Sequence, residues 1–250
     1  MTEKSASSLE RMLDVLDLFD DTVLARTTDD IAGALDVSLS TAYRYVRLLV
    51  EAGLLQRAED SSYTLGPRII VLDHYIRKTD PVLREGIPIM RELVQATGFD
   101  CVASGLFGDQ VLDTHRETGG VPTPLAYGRG RPRPLFQGAA PKVILAQFAS
   151  PQLRKLFAAR RDELVRHGLP GEWPAFRRYF AAIRSAGFYL SVGELEPQLA
   201  AVAAPVTKVD GGAWGAISLV LDVQRLAIVD TKKLTGLLAQ AAKRLSERLA

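Results

Sequence analysis

The sequence predicts an α+β chain in two parts, an N-terminal winged helix-turn-helix unit joined by a linker helix to a larger α/β domain with a mainly antiparallel sheet. Three observations predict it. Within the first 70 residues, three short stretches place apolar residues at three- and four-residue spacing, and two short extended runs around a turn follow them. The segment "RIIVLDHYIRKTDPVLREGIPIMRELVQATG" then reads as helical on both sides of Pro81. From Phe99 onward strand-like runs alternate with helical ones, in a chain of 250 residues whose 47% apolar content suffices for a sizeable core. The expected boundaries are 1–70, 71–83 and 84–250.

In the first part, Leu9, Met12, Leu13, Leu16 and Phe19 predict an amphipathic helix over 8–20. A second helix begins at Thr28, read as its N-cap, with Asp29 and Asp30 in the first turn, and ends near Asp36. A third follows with Ser38 or Ser40 as N-cap and Gly53 as its stop. "LLQRAEDSSYTLG" reads as a small hairpin turning at "EDSS". Pro81 and Pro88 mark the expected breaks in the helical segment after it. "FDCVASGLF" and "DQVLDTHRE" form the first hairpin of the second part, and "TGGVPTPLAYGRGRPRPLF" is a loop able to border a cavity. Helices at "APKVILAQF", "SPQLRKLFAARRDELVRHG" and "EWPAFRRYFAAIRSAG" precede two strands joined at "DGG". An amphipathic helix closes the chain.

The third helix carries the functional question. On a helical wheel, Leu39, Ala42, Tyr45, Val46 and Leu49 share one arc, with Ser40, Arg44, Arg47 and Glu51 opposite and Thr41 and Tyr43 on the flanks. Two arginines and three hydroxyl-bearing residues near an N-terminal half suit base edges and phosphates in a major groove. The alternative is a solvated face. Charge argues for caution, because residues 1–80 hold nine Lys/Arg against fourteen Asp/Glu, while the remainder holds 22 against 15. Nucleic-acid affinity normally rests on cations, so local placement has to outweigh the sum.

Other chemistry finds little support. One cysteine, Cys101, excludes an intramolecular disulfide and a cysteine-based metal site, and fits a reducing cytoplasm. His74, His115 and His167 have no metal-ligand spacing, and Cys101 reads as a packed thiol in an apolar strand. Glu194 and Glu196 would share one side of a strand as solvated acids. "GRGR" lacks the later residues of a phosphate loop. No signal peptide or membrane span is expected, nor any cofactor or metal. A small-molecule enzyme, or a metabolite-binding protein without DNA activity, is the competing class.

Here the residues resemble a known family. "TTDDIAGALDVSLSTAYRYVRLLVEAGLLQR" followed by "YTLGPRIIVL" is similar to the winged helix-turn-helix of IclR-type bacterial transcriptional regulators. There a Ser-Thr-x-x-Arg stretch opens the recognition helix and Tyr-x-Leu-Gly closes the wing, matched by Ser40, Thr41 and Arg44 and by Tyr63, Leu65 and Gly66. "PLFQGAAPKVILA" and "AGFYLSVGELEPQLAAVAAPV" with "WGAISLVL" resemble that family's GAF-like effector-binding domain. Two departures stand out. Asp36 occupies a turn position where Gly is common, and Phe136, with Ala140 and Pro141 ahead of Lys142, departs from the effector-domain pattern.

The resemblance implies a ligand-responsive regulator, with repression of a catabolic operon as the expected sign. Double-stranded operator DNA would be read or clamped by Ser40, Thr41, Tyr43, Arg44 and Arg47, with Arg26 and Arg57 on phosphates. A small organic or aromatic acid would be held by Gly138, Ala139 and Ala140, whose amides open a helix, and by Ser191, Leu199, Ala201 and Ser218. Arg129, Arg131 and Arg133 are further candidates to counter an anion. The second domain would also assemble a homodimer or a dimer of dimers, since one small winged module contacts too few bases.

Overall fold

The computed structural model describes residues 7–120 and 128–250, so part of the Gly- and Pro-rich loop, 121–127, lies outside the described residues. The chain divides into two compact units, residues 1–79 and 80–250.

In the first unit, helix α1 (Ser8–Asp14) opens on a reciprocal cap between Ser7 and Glu10. It is shorter than expected. After Asp14 the chain tightens into a 3-10 turn at Leu16–Leu18. Asp20 Oδ1 then accepts from the Thr22 and Val23 amides and the Thr22 hydroxyl, which diverts the chain from the helix axis. Leu9 and Leu13 are exposed, and the buried contact is made by Val15 with Met12, Leu16 and Phe19 around it. Helix α2 (Thr28–Leu35) is capped by Thr27 rather than Thr28. Thr27 Oγ1 accepts from the Asp30 amide while Asp30 Oδ2 accepts from the Thr27 amide, and Thr28 is buried. These same bonds from Thr27 hold the Asp30 carboxyl below its ordinary range.

Asp36 ends α2 in the left-handed conformation, φ 50° and ψ 53°, with its amide donating to the carbonyls of Ala32 and Gly33. That turn sets helix α3 (Leu39–Glu51) across α2, and Ser38 caps it by accepting from the Thr41 amide at 3.3 Å. Ala42, Tyr45, Val46 and Leu49 are buried with Ile31, Val15 and Leu55. Leu39, expected in that arc, is instead exposed at the first residue of α3 and takes no part in the cluster. Strands β1 (Leu55–Arg57) and β2 (Tyr63–Leu65) form the hairpin. Gly66 is required where it is, since a Cβ there would lie 2.2 Å from the Gly53 carbonyl oxygen. Helix α4 (Arg68–Thr79) follows and buries none of its residues.

The second unit begins with helix α5 (Pro81–Thr97), capped by Asp80, so the 71–83 connector is the end of one helix and the start of another. Pro88 was expected to break the chain, yet it lies inside α5. Burial of Leu83, Ile89, Met90 and Leu93 outweighs the roughly 3 kcal/mol a mid-helix proline costs. A six-stranded antiparallel sheet forms the centre, in the order β5-β4-β3-β8-β7-β6. Its strands are β3 (Asp100–Phe107), β4 (Gln110–Glu117), β5 (Pro132–Arg133), β6 (Tyr189–Val192), β7 (Leu199–Thr207) and β8 (Ala213–Asp222). Between β5 and β6 run helices α6 (Ala139–Leu145), α7 (Ser150–Ala159), α8 (Arg161–Arg166) and α9 (Trp173–Ala186). After β8 come α10 (Val223–Leu226) and α11 (Thr231–Arg248).

Strand alternation gives the sheet two apolar faces. Cys101, Ala103, Val202, Ile217 and Leu219 pack on α5 and α11, whereas Val111, Ala203 and Ala216 pack with α6 and α9. The second layer differs from expectation in three places. β5 is a two-residue edge strand inside the segment read as loop, a position where Pro132 is tolerated. The helix expected over "SPQLRKLFAARRDELVRHG" is broken at Arg160, whose guanidinium bridges Glu163 and Asp109. Glu194 and Glu196 lie in the turn between β6 and β7 rather than on a strand. The Cys101 thiol is pushed up by burial and by the nearby Glu117 and Asp100 carboxylates, so it is held as an unreactive thiol.

The left-handed turn at Asp36 yields a test. Asp36→Val is expected to lower the stability of the first unit by about 1–2 kcal/mol, while Asp36→Gly does not. Hydrogen exchange of α2 and α3 amides in the full chain reads this. Equal protection in both variants contradicts it.

Candidate functional site

Two surfaces hold the residues singled out from the sequence. In the first unit, α3 and the hairpin meet in an open groove of about 580 Å³ lined by Ser40, Tyr43, Arg44, Arg47 and Arg57, with Val46, Val50, Glu51 and Tyr63 completing it. Tyr43, Arg44, Arg47 and Arg57 are exposed. Arg47 Nε lies 3.8 Å from Glu51 Oε1, a solvent-exposed pair of little energetic weight. Thr41 does not line the groove; its hydroxyl is 2.9 Å from Ser38 Oγ at the helix cap. Arg26 is also placed elsewhere. Its Nε donates to the Leu18 carbonyl at 2.8 Å, and its backbone pairs with Tyr63. It braces the hairpin against the 3-10 turn.

In the second unit, Gly138, Ala139, Ala140, Ser191, Leu199, Ala201 and Ser218 all line one cavity. Local structure accounts for their convergence. Gly138, at φ 80°, turns the chain into the buried helix α6. Ser191 pairs with Ala201 across β6 and β7, and Ser218 pairs with Ala203 across β7 and β8, which sets the hydroxyls and Leu199 on one face of the sheet. The cavity has a volume of about 30 Å³. It is therefore narrow. Ser191 and Ser218 are buried, and Ser218 Oγ has no hydrogen-bond partner among the described residues, a costly state for a hydroxyl unless something else supplies one.

The cavity wall also contains charged groups, one expected as a counter to an anion and one expected as a solvated acid. Arg133 lines it, held by a two-pronged bond from Nε and Nη2 to the two carboxylate oxygens of Asp113 at 2.6 and 2.5 Å. Ser104 Oγ donates to the same Asp113 at 2.7 Å. Arg129 instead donates to the Thr114 carbonyl and does not line the cavity. Glu194, expected as a solvated acid, is a hub. Its Oε2 accepts from Lys142 Nζ at 2.6 Å and from the Gly138 amide at 2.9 Å, and its Oε1 accepts from the Tyr189 hydroxyl at 2.9 Å.

Tyr189 in turn accepts from Lys142 Nζ and from the Tyr179 hydroxyl. Burial, with the bonds to Tyr179 and to the Glu194 carboxylate, pushes its phenol far up, so it remains a neutral donor. The Gly138 amide, expected to receive a ligand carboxylate, thus already donates to a carboxylate of the chain itself. The signal in the sequence was a Lys142 on an otherwise apolar helix, which needs a buried countercharge.

Among the described residues no His, Cys, Asp and Glu group is placed to hold a metal ion. His115 pairs with Glu117 on β4, His74 lies on α4 and His167 follows α8, none of them on the cavity wall beside the serines. Glu194→Ala strands the buried Lys142 ammonium and is expected to cost the second unit about 3 kcal/mol, with most of it recovered in a Lys142→Met/Glu194→Leu pair. Urea unfolding followed by fluorescence of Trp173 and Trp214, both in that unit, measures it. No recovery in the double variant contradicts the ion-pair account.

Comparison with known proteins covers both units. Residues 74–247 match the family model described as the bacterial transcriptional regulator IclR C-terminal domain, and residues 8–59 match the IclR helix-turn-helix domain. The chain is 25% identical over 244 residues to the HTH-type transcriptional regulator XynR of Escherichia coli, covering 97% of this chain and 96% of that protein. It is 24% identical to the HTH-type transcriptional regulator BhcR of Paracoccus denitrificans, covering 97% and 87%. Its fold is similar to the crystal structure of an IclR transcriptional regulator from Alicyclobacillus acidocaldarius, with a TM-score of 0.79, 21% identity and coverage of 98% and 100%. It is likewise similar to an IclR homologue from Microbacterium hydrocarbonoxydans solved in complex with 4-hydroxybenzoate, with a TM-score of 0.75, 23% identity and coverage of 97% and 99%. With a helix-turn-helix unit whose third helix leaves its polar face free, a second unit holding a narrow cavity, and both units matched by the family models, the chain belongs to the IclR family of bacterial transcriptional regulators, and its curated relatives are named as regulators rather than enzymes.

Proposed function

We propose that this regulator binds operator DNA through α3 and alters its affinity when a small organic or aromatic acid occupies the cavity of the second unit. The observation that carries the reading is the convergence of seven positions from four separate segments on one narrow cavity, where a buried Ser218 hydroxyl has no partner of its own. The 4-hydroxybenzoate held by the Microbacterium homologue supports an acid as the class of ligand. So does Arg133, kept oriented on the cavity wall by Asp113. Such a ligand acts by binding one conformation better than another. Repression of a catabolic operon is the sign of regulation that this reading takes. With no helix among the described residues long and apolar enough to cross a membrane, a cytoplasmic site of action is the corresponding proposal.

On the DNA side, Ser40, Tyr43, Arg44, Arg47 and Arg57 form the contact surface, with Thr41 shaping the helix start and Arg26 holding the hairpin in place. Arg44 has the fork geometry for a guanine edge. The working form is a homo-oligomer, a dimer or a dimer of dimers, because one module of this size reads too few bases. The exposed apolar side chains of α4, among them Ile70, Val71, Tyr75 and Ile76, support a second copy of the chain as their partner.

Arg44→Ala is expected to abolish binding to the DNA upstream of its own operon without unfolding the protein, read by gel shift at fixed salt. Unchanged affinity removes Arg44 from the interface. In a thermal-shift screen, small carboxylic acids are expected to raise the Tm, and those acids to change DNA affinity in the same gel shift. Stabilisation by non-acids alone contradicts the assignment of ligand class.

A further inference from the structure

A second pocket of the second unit adjoins the cavity of Ser191 and Ser218 and shares one lining residue with it, Glu194. Its volume is about 500 Å³, within the range that takes a small metabolite. Donors from separate segments converge on it. Gln137 precedes α6 and Lys142 lies on it, Arg166 ends α8 and His167 follows, and Tyr179 and Tyr189 come from α9 and β6. Glu194 is the one acid among these lining residues.

Much of this donor capacity is unspent. An ammonium has three protons to give, and Lys142 Nζ gives one to Glu194 at 2.6 Å and one to the Tyr189 hydroxyl at 3.2 Å. The third has no acceptor among the described residues, although the Lys142 side chain is only 5% exposed, an unfavourable state for a buried charge. The Arg166 guanidinium is engaged through Nε alone, which donates to the Asp162 carbonyl at 3.4 Å, so both Nη groups are open and no carboxylate of the described residues pairs with it. The His167 ring and the Gln137 side-chain amide bond to no described residue. Glu194 does not offset Arg166, because its two oxygens are already taken by Lys142, the Gly138 amide and the Tyr189 hydroxyl. The pocket wall is thus left with a net cation and with N–H groups that lack acceptors.

We infer that this pocket is a second ligand site of the unit, which takes the oxyanion group of a small metabolite, a phosphate or a carboxylate, on Lys142, Arg166, His167 and Gln137. The open Nη groups of Arg166 form the fork that meets either group in two-pronged fashion, and the third Lys142 proton gains the acceptor it lacks. The site is separate from the cavity proposed to hold the acid ligand, and it stands whether or not that ligand is an acid. Glu194 borders both, so the two sites share a charged wall.

The test uses the full-length protein labelled with carbon-13 at histidine Cε1, whose three signals come from His74, His115 and His167 and are assigned with His167→Gln. Inorganic phosphate and succinate are titrated separately at fixed pH and ionic strength. A saturable shift of the His167 signal, with His74 and His115 unmoved, is expected with at least one probe, and the tighter of the two names the group the site prefers. Arg166 is exposed, so Arg166→Gln leaves the fold intact and is expected to weaken that binding about tenfold, the value of one charge-assisted bond. Lys155→Gln, which removes an exposed cation of α7 outside the pocket, is expected to leave it unchanged. No saturation with either probe, a shift common to all three histidines, or equal binding by Arg166→Gln overturns the inference. None of these outcomes bears on DNA binding or on the ligand of the inner cavity.

Discussion

The second unit depends on one buried ion pair. Lys142 sits on α6, a helix whose seven residues are all buried, and its ammonium can be there only because Glu194 meets it at 2.6 Å. The same carboxylate takes the Gly138 amide at the start of α6 and the Tyr189 hydroxyl from β6. One group therefore joins a helix start, an edge strand and the turn between β6 and β7, and these are three walls of the cavity. The close approach of Leu195 to Gly138, where an added Cβ would meet the leucine at 2.8 Å, follows from that anchorage. Sensing in such a site is a matter of how a ligand competes with bonds that already exist. An acid entering the cavity meets an internal carboxylate on the amide it would use, and an arginine already paired with Asp113.

The first unit solves a different electrostatic problem. Its core is small, a cluster around Ile31, Ala42, Val46 and Leu49, and its surface is acidic overall. The acids are not arranged at random. Asp29 and Asp30 lie in the first turn of α2, where they favour the helix dipole, and Asp20 builds the turn that ends the first helix. Much of the negative charge thus serves local structure. Arg44, Arg47 and Arg57 stand on α3 and at the hairpin base, where local placement matters more than the domain's sum.

How far the candidate site was legible can be seen residue by residue. The free face of α3 was readable because a 3.6-residue period is a local property, and Ser40, Arg44 and Arg47 fell where the wheel put them. Leu39 did not, because burial at a helix's first turn depends on what crosses it. Arg26 read as a phosphate contact, yet a carbonyl eight residues earlier, that of Leu18, accepts from its Nε at 2.8 Å. In the second unit the seven cavity positions followed from resemblance, and their common wall from strand register. Glu194 was misread, since a carboxylate in a turn has no periodic signature and its partner Lys142 lies 52 residues away.

The sequence by itself determined the elements whose causes are local: the cap at Ser38, the stop at Gly53, amphipathic periods in α2, α3 and α11, and the apolar runs of β7 and β8. It also determined the order of the two units. Only the tertiary structure decided that Pro88 stays helical, that Pro132 and Arg133 join the sheet as an edge, and that a half-buried Glu194 meets the buried Lys142. The physical reason is common to all three. Each is unfavourable or indifferent in isolation, and each is stabilised by groups distant in the chain, whose proximity no local pattern encodes.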